Sequence, residues 1–350
     1  MKIKEIIGKI LYKRLLTYLD YDRIIKKNME DVVHSFYLGL HSPTKEEELK
    51  EIYNYQTRLY AAGTVETLTI CGANLGFKEA LKNPKVKDIA TTIRLAFGYA
   101  DMLDTDNDEY DPRVLILKKL DPKTVEEKLH KHKIYSNIVR NLDNLIMERF
   151  KLLHPSSLNI YISEEEKVME GQKSDIEDHF CYLQGDFERL RDKYPNYQAC
   201  MELLVKKLGL MGRGAAHIAY LESNGKSEAI KETEGEFFTN AGVLLQFWSN
   251  DVKKIMNDIE NLETNPIITT AVCKYKDANE INKNLIKRLV KDDPQILDKM
   301  ANPYQEGMEK ALEGIKKFEF DFRTHKGLAL MVKSEAKKEK INFFKNFGLI

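Results

Sequence analysis

Three aspartates stand at helical spacing at the end of an apolar stretch. Asp101, Asp104 and Asp108 are three and four residues apart, at and after the end of IATTIRLAFGYADML (89–103). If the helix continues to residue 108, the three carboxylates share one face. Because like charges on one face repel, a divalent cation would stabilise the arrangement, and Mg²⁺ typically takes carboxylates together with substrate phosphates. The spacing indicates a magnesium site, with a solvated acidic helix end as the alternative.

The segment DTDND (104–108) also looks like the start of an EF-hand calcium loop. Such a loop needs glycine at its sixth position and glutamate at its twelfth. Here Glu109 and Leu115 stand at those positions. The EF-hand interpretation therefore fails.

A second polar stripe follows another apolar run, TNAGVLLQFW (239–248). Asn250, Lys254 and Asp258 are four residues apart and would share one face of a helix. Asparagine and aspartate offer oxygen ligands to a metal, whereas lysine does not. A solvent-exposed face is the alternative interpretation of this stripe.

The amino-acid composition limits the classes of protein to which this chain can belong. The chain has 350 residues, is 43% hydrophobic and carries no net charge. The absence of a basic excess argues against a nucleic-acid-binding protein. The four cysteines are Cys71, Cys181, Cys200 and Cys273. None of them forms a CxxC pair, which argues against a zinc site and predicts reduced thiols in the cytoplasm.

The first 20 residues are apolar at helical spacing but are interrupted by Lys and Arg. They lack the core of a signal peptide, and the chain contains no apolar stretch long enough to span a membrane. We expect a packing helix here. Peripheral contact with a membrane through residues 1–20 is the alternative.

Apolar residues recur at three- and four-residue spacing over most of the chain, which predicts an all-α fold. We expect one large helical bundle, a single domain over 1–350, with N-terminal helices (1–40) packed on it. The expected helices cover 3–18, 22–39, 45–74, 85–107, 123–152, 164–192, 197–222, 227–262, 277–291 and 303–317. The only strand candidates are RVLIL (113–117) and SLNIYI (157–162).

Two central helices that each bring polar side chains to one end of a cavity resemble the class I isoprenoid synthases. The two motifs lie about 150 residues apart, as in those enzymes. The segments LLVKKLGLMGRGAAHIAYLE (203–222) and EFFTNAGVLLQ (236–246) resemble the stretch before the second motif of trans-prenyltransferases and of squalene and phytoene synthases. The resemblance implies a bundle of the isoprenoid synthase type around a central cavity.

A closer resemblance is to the large-terpene synthase family typified by tetraprenyl-β-curcumene synthase. Its first metal motif, DxxDxxxD, matches Asp101, Asp104 and Asp108. The segment QTRLYAAG (56–63) is similar to a family helix that carries a basic residue, an aromatic and small residues. AVCKYKDANEINKNLIKRLV (271–290) and NPYQEGMEKALEGI (302–315) are similar to its C-terminal region.

The second motif departs from the terpene synthase pattern. NDVKKIMND (250–258) matches at Asn250, Asp251 and Val252, but Lys254 stands where Ser or Thr is expected and Asp258 where Glu is expected. Lys254 would then contact the diphosphate as a fixed cation, or would mark a protein that has lost catalysis. The glycine- and arginine-rich site for isopentenyl diphosphate is not visible, which favours a one-substrate cyclase or lyase over a chain elongase.

The resemblance implies a terpene synthase that ionises an acyclic all-trans prenyl diphosphate with Mg²⁺ and releases pyrophosphate. The expected metal ligands are Asp101, Asp104, Asp108, Asn250 and Asp258. The expected diphosphate-binding cations are Arg58, Arg94, Arg213 and Lys254. The expected cavity lining is Tyr60, Phe97, Tyr99, Gln246, Phe247 and Trp248, whose alternative role is core packing.

Three other functions stay open at this point. A squalene/phytoene-type condensing enzyme would use the same fold, and a non-catalytic lipid-binding or partner-binding protein would explain Lys254. Glu127-x-x-His130 suggests a ferritin-like di-iron bundle, but that site needs the pattern twice and no convincing second copy exists. An oligomer is possible.

Overall fold

The structure is a computed structural model that describes residues 2–54, 58–118, 120–208, 212–224, 228–317 and 322–349. Side chains are described for these residues except 2–16, 19, 58–63, 65, 73, 228–230 and 322–323. Every regular element in this part of the chain is a helix. The all-α prediction is therefore confirmed.

Within the described residues, the first half of the chain forms eight α-helices and a π-helical turn. They are α1 (Lys2–Leu38), α2 (Lys45–Asn54), α3 (Arg58–Leu75), α4 (Phe77–Ala80), α5 (Pro84–Thr105), the first π turn (Asp106–Tyr110), α6 (Pro112–Leu117), α7 (Pro122–Phe150) and α8 (Pro155–Gln184).

In the part of the second half that the structure describes, nine more helices surround a second π-helical turn. They are α9 (Phe187–Lys193), α10 (Tyr197–Leu208), α11 (Arg213–Glu222), α12 (Glu228–Gln246), the second π turn (Phe247–Val252), α13 (Lys253–Asn261), α14 (Pro266–Lys274), α15 (Lys283–Asp292), α16 (Ile296–Lys316) and α17 (Phe322–Asn346).

The N-terminal region is one continuous helix, although the sequence predicts two. Tyr18, Tyr21, Ile25 and Met29 are all buried. Their three- and four-residue spacing runs straight through the predicted break near residue 20, so the buried face is uninterrupted. The face expected to contact a membrane lies mostly outside the described side chains. No described helix is both long enough and apolar enough to cross a membrane.

Both predicted strands are wrong, because each segment lies in a helix that starts at a capped proline. Asp111 caps α6 by accepting a hydrogen bond from the backbone N–H of Arg113, and Pro112 is the first helical residue. His154 caps α8 in the same way, ahead of Pro155. Proline at the first helical position is compatible with the helix and sets its φ angle in advance.

Two separate apolar clusters form the interior. One is built from α1, α3, α5, α7 and α11 with the N-terminal half of α8, and the other from α10, α12 and the helices that follow. Helix α12 packs against α3, α10, α11, α16 and α17. The first motif follows α5, which belongs to the first apolar cluster, and the second motif follows α12, which belongs to the other.

Candidate metal and diphosphate site

The first wall of the site forms where α5 runs into the first π turn. Asp104 lies on the last turn of α5, and Asp108 lies in the π turn. Asp106 anchors this turn to α7: its carboxylate lies 2.9 Å from Nδ1 of His132 and accepts a hydrogen bond of 3.0 Å from the hydroxyl of Ser136. This anchor fixes the direction in which Asp104 and Asp108 point.

Helix α8 supplies a third carboxylate that the sequence analysis did not identify. One oxygen from each of Asp104, Asp108 and Asp175 lies within 4.8 Å of the other two. We refer to these three residues as the aspartate cluster. Asp101 lies one turn earlier on α5 and is half-buried. The three converging oxygens fit a single hard cation such as Mg²⁺, which prefers carboxylate oxygens.

A lysine from α10 reaches into the aspartate cluster. The Nζ atom of Lys207 lies 2.7 Å from Oδ1 of Asp104 and also forms an ion pair with Asp175. Gly171 makes this possible, since a Cβ atom there would lie 3.1 Å from the backbone nitrogen of Lys207. The missing side chain lets α8 and α10 approach closely enough to place the ammonium group between the carboxylates.

The second wall comes from the second π turn and α13. Asp251 is 5% exposed. The charge of Asp175 raises the pKa of the Asp251 carboxyl group, and the charge of Lys207 lowers it. Asn265 braces this wall, because its side-chain amide donates to Asp258 Oδ2 at 2.7 Å and to the backbone oxygen of Asp251 at 2.8 Å. The charges of Asp175 and Lys207 thus couple the second motif electrostatically to the aspartate cluster, which contains carboxylates of the first motif.

Burial and repulsion leave this site short of positive charge. Burial and the neighbouring Asp104 raise the pKa of Asp108 well above its usual value. Burial and Asp258 do the same to the pKa of Asp251. One oxygen of each, Oδ1 of Asp108 and Oδ2 of Asp251, is buried without a hydrogen-bond partner among the described residues. A cation bound at each of these oxygens would satisfy it and reverse the shift in the pKa of its carboxyl group.

Lys207 places a positive charge within the aspartate cluster. Burial opposes its charged form, but Asp104 and Asp175 outweigh burial and raise the pKa of Lys207 well above its usual value. Burial likewise opposes ionisation of Asp175, and Lys207 lowers its pKa below the usual value. Lys207 and Asp175 are therefore both charged at neutral pH, and one ammonium group faces several carboxyl groups.

A neutral imidazole lies next to Asp175 on α8. His179 is 1% exposed, and burial together with Lys118 lowers its pKa to about 4. Its Nε2 atom has no hydrogen-bond partner among the described residues. His179 therefore offers a hydrogen-bonding nitrogen near the cluster without adding charge.

The predicted diphosphate-binding cations are spread over the molecule. Arg94 lies inside the first apolar cluster and forms an ion pair with Asp22. Arg213 is exposed at the start of α11. Lys254 is exposed on α13, where its charge lowers the pKa values of Asp251 and Asp258. The side chain of Arg58 lies outside the described residues.

Of the predicted second-motif ligands, Asn250 is half-buried in the second π turn and Asp258 is buried. The straight-helix stripe of Asn250, Lys254 and Asp258 is interrupted, because a π turn contains an extra residue per turn and shifts the register. The shift buries Asp251 and leaves Lys254 in solvent.

The predicted cavity-lining aromatics pack within the apolar clusters. Phe97 and Phe247 are fully buried, and the ring of Phe247 lies 5.0 Å from that of Trp248. The hydroxyl of Tyr99 lies 4.0 Å from the sulfur of Met169. Gln246 is half-buried on α12. Tyr60 lies outside the described side chains.

The di-iron alternative does not agree with the structure. Glu127 and His130 are exposed on α7, where His130 lies 2.9 Å from Glu47 and Glu127 lies near Lys123. A di-iron site needs these side chains to project into the bundle core.

Sequence reasoning missed Asp175 and Lys207. On α8, Gln172, Asp175 and His179 repeat the three- and four-residue spacing of the first motif, and all three are buried. Acidic residues are frequent along this helix, so spacing alone did not separate them from solvent-facing ones. The polar stripe of Gln172, Asp175 and His179 is the sequence feature that could have identified Asp175.

No protein-family model and no curated protein matches this chain. Solved structures do match it. A geranylgeranyl pyrophosphate synthetase from the archaeon Geoglobus acetivorans has a TM-score of 0.60 and 17% identity, with 94% of this chain and 98% of that chain covered. A geranylgeranyl pyrophosphate synthase from Corynebacterium glutamicum, complexed with isoprenyl diphosphate and magnesium, has a TM-score of 0.63 and 10% identity, covering 91% and 98%.

A decaprenyl diphosphate synthase from Rhodobacter capsulatus also matches, with a TM-score of 0.62, 9% identity, and 94% of this chain and 98% of that chain covered. At such low identity the similarity establishes the fold. The chain has the helical isoprenoid synthase fold, as its sequence predicts.

Proposed function

We propose that this protein binds an all-trans prenyl diphosphate with Mg²⁺ and releases pyrophosphate from it, which leaves an allylic carbocation. The observation that carries this proposal is the convergence of Asp104, Asp108 and Asp175 from two helices around the ammonium group of Lys207. The same fold binds isoprenyl diphosphate and magnesium in the Corynebacterium glutamicum synthase.

The residues present fit Mg²⁺. The aspartate cluster would hold one ion, and Asp251 with Asp258 and Asn250 would hold another from the second wall. The unpartnered buried oxygens of Asp108 and Asp251 support this assignment, since buried carboxylates are normally paired or bound to a metal. When bound, Mg²⁺ supplies Lewis-acid stabilisation of the negative charge that develops on the leaving diphosphate.

Lys207 is the cation that we propose to bind the diphosphate. Its ammonium group is held by two carboxylates that also serve as metal ligands, Asp104 and Asp175. Once those carboxylates are neutralised, the three N–H donors of Lys207 are available to phosphate oxygens of the leaving group. His179, which is neutral and buried, would provide a further hydrogen bond without adding charge.

We propose cyclisation or proton loss as the fate of the carbocation, which makes the protein a terpene synthase. The resemblance to large-terpene synthases and the lack of a recognisable isopentenyl diphosphate site support this fate. Chain elongation or condensation is the second candidate. It is favoured by the names of the three solved structures described above, which are all prenyl diphosphate synthases.

Product analysis separates these two candidates. Purified protein with Mg²⁺ is incubated with a panel of prenyl diphosphates of increasing length, with and without isopentenyl diphosphate. A terpene synthase gives a hydrocarbon or alcohol of unchanged carbon number in both arms. Products lengthened only in the presence of isopentenyl diphosphate would show elongation. Tight binding without turnover in either arm would indicate a binding protein.

A further inference from the structure

The C-terminal helix α17 turns one face toward the protein and the opposite face toward solvent. The inward face packs against α12, α16 and the second π turn. Its buried residues follow helical spacing and are His325, Ala329, Val332, Glu339 and Phe343. Phe343 is part of the second apolar cluster. The helix is therefore docked over most of its length, and its outer face is a fixed part of the molecular surface.

The outer face of α17 combines lysines with large apolar side chains. Leu330 is 54% exposed, the adjacent Met331 is 52% exposed, and Ile341 is 40% exposed. Exposed residues recur at three- and four-residue spacing and so share one face; they are Lys326, Leu330, Lys333, Lys337, Ile341 and Lys345. We refer to these six residues and Met331 as the lysine face. It extends for about 28 Å along the helix axis.

The charge of this helix is one-sided. The segment of α17 contains seven Lys or Arg residues and only two Glu, in a chain whose charges balance overall. Both glutamates are withdrawn from the outer face: Glu339 is buried and Glu335 is half-buried, and Lys338 pairs with both. Lys337 and Lys345 are exposed and form no ion pair with any described residue. The lysine face therefore carries uncompensated positive charge.

Another long helix of this chain shows what an ordinary solvent-exposed face looks like. On α7 the exposed charges are of both signs, and Lys123 pairs with Glu127 one turn later. On α17, Lys333 and Lys337 are four residues apart, and like charges at this spacing repel each other. The lysine face also keeps three large apolar side chains in water. A partner that is anionic and has an apolar layer beneath its charges would stabilise both features.

We infer that the lysine face binds the surface of an anionic lipid bilayer. The ammonium groups would lie at the level of the lipid headgroups, and Leu330, Met331 and Ile341 would enter the boundary between headgroups and acyl chains. Helix α1, for whose first 20 residues the sequence offers membrane contact as an alternative, packs against α17. The inference goes beyond the proposed function and does not depend on it, because binding to lipid needs neither substrate nor metal.

Co-sedimentation of the full chain with lipid vesicles tests the inference without any substitution. Vesicles of equimolar phosphatidylserine and phosphatidylcholine are compared with vesicles of phosphatidylcholine alone. We expect at least about tenfold tighter binding to the anionic vesicles, and we expect this binding to weaken as salt is added, because salt screens exposed charges. Equal binding to the two kinds of vesicle, or binding to neither, overturns the inference.

Paired substitutions locate the contact on the lysine face. Lys337→Glu combined with Lys345→Glu should weaken binding to anionic vesicles at least about tenfold, since each lysine near such a surface contributes to binding. Leu330→Ser combined with Ile341→Ser should weaken it several-fold by removing apolar area. All four side chains are exposed, so we expect the fold to be retained.

A matched control comes from the loop between α7 and α8. Lys151 is exposed and Leu152 is 77% exposed. Lys151→Glu combined with Leu152→Ser should leave vesicle binding within about twofold of the wild type, because this loop lies outside the lysine face. An equal loss in the control overturns the inference. So does unchanged vesicle binding in both lysine-face variants; self-association that these variants abolish would then assign the face to a second copy of the chain.

Discussion

The ammonium nitrogen of Lys207 lies 2.7 Å from Oδ1 of Asp104, so α10 and α5 meet through an ion pair within the aspartate cluster. The same nitrogen pairs with Asp175 on α8. Three helices are therefore joined by one lysine at the place where the metal is proposed to bind. Under the proposed function, Lys207 would compete with a metal ion when no phosphate is present and would cooperate with it when phosphate is bound.

Replacing Lys207 by methionine should separate these two effects. In Lys207→Met, Mg²⁺ alone should bind about tenfold more tightly, because a competing charge is lost. The tightening of Mg²⁺ binding by pyrophosphate should largely disappear. Calorimetry with and without pyrophosphate measures both. Lys206→Met is the matched control, since Lys206 is exposed and lies 3.9 Å from Glu170. Equal coupling in wild type and Lys207→Met would contradict this role.

The close approach of α8 and α10 should be sensitive to one methyl group. Gly171→Ala places a Cβ atom 3.1 Å from the backbone of Lys207, and overpacking of this kind costs about 1–3 kcal/mol. Gly242→Ala, where the Cβ atom meets open space, should leave the free energy of unfolding unchanged or raise it by up to about 1 kcal/mol. Urea unfolding compares the two; equal stabilities would show that the glycine contact is unimportant.

Asp258 should make stability depend on pH in a defined direction. Burial raises its pKa to about 7, whereas an unfolded aspartate titrates near 4. Between these values the folded state holds a proton that the unfolded state releases, so the free energy of unfolding falls as pH rises, by up to about 4 kcal/mol. Asp258→Asn should show a smaller loss between pH 5 and pH 8. Identical losses in the two proteins would refute the assignment.

Replacing Lys254 tests whether this residue contacts the substrate or prevents catalysis. It is exposed, so Lys254→Ser should weaken prenyl diphosphate binding only a few-fold, equivalent to about 0.2–1 kcal/mol. The change in the Michaelis constant for the best substrate measures this. An inactive wild type with an active Lys254→Ser variant would instead favour a synthase-derived binding protein.

The sequence was sufficient to predict the helical fold. The apolar run before Asp104 and Asp108 showed which helix face turns inward, and the structure brings these two carboxylates together with Asp175. The same reasoning misassigned 113–117 and 157–162 to strands, because short apolar runs do not distinguish strands from helices. It also left out α17 (Phe322–Asn346), where charged residues obscure the apolar spacing.

The rest of the site depends on contacts between helices that a single sequence does not encode visibly. Lys207 and Asp175 are 32 residues apart and meet only because Gly171 lets two helices touch. The second π turn changes the register after Phe247, so a straight-helix analysis emphasised Lys254 where the structure buries Asp251. Local irregularity and long-range packing therefore limited the prediction.

Pyrophosphate release is the most direct test of the proposed function. Wild-type protein, Asp175→Asn and Glu177→Gln are compared on the best prenyl diphosphate of the panel, with and without Mg²⁺. Glu177 lies on the same helix but is partly exposed and pairs with Arg189, so it serves as the control. We expect Mg²⁺-dependent release by the wild type and Glu177→Gln, and a loss of at least about 100-fold in Asp175→Asn, equivalent to about 2.7 kcal/mol. Release that is independent of Mg²⁺, or that survives Asp175→Asn unchanged, would contradict the account.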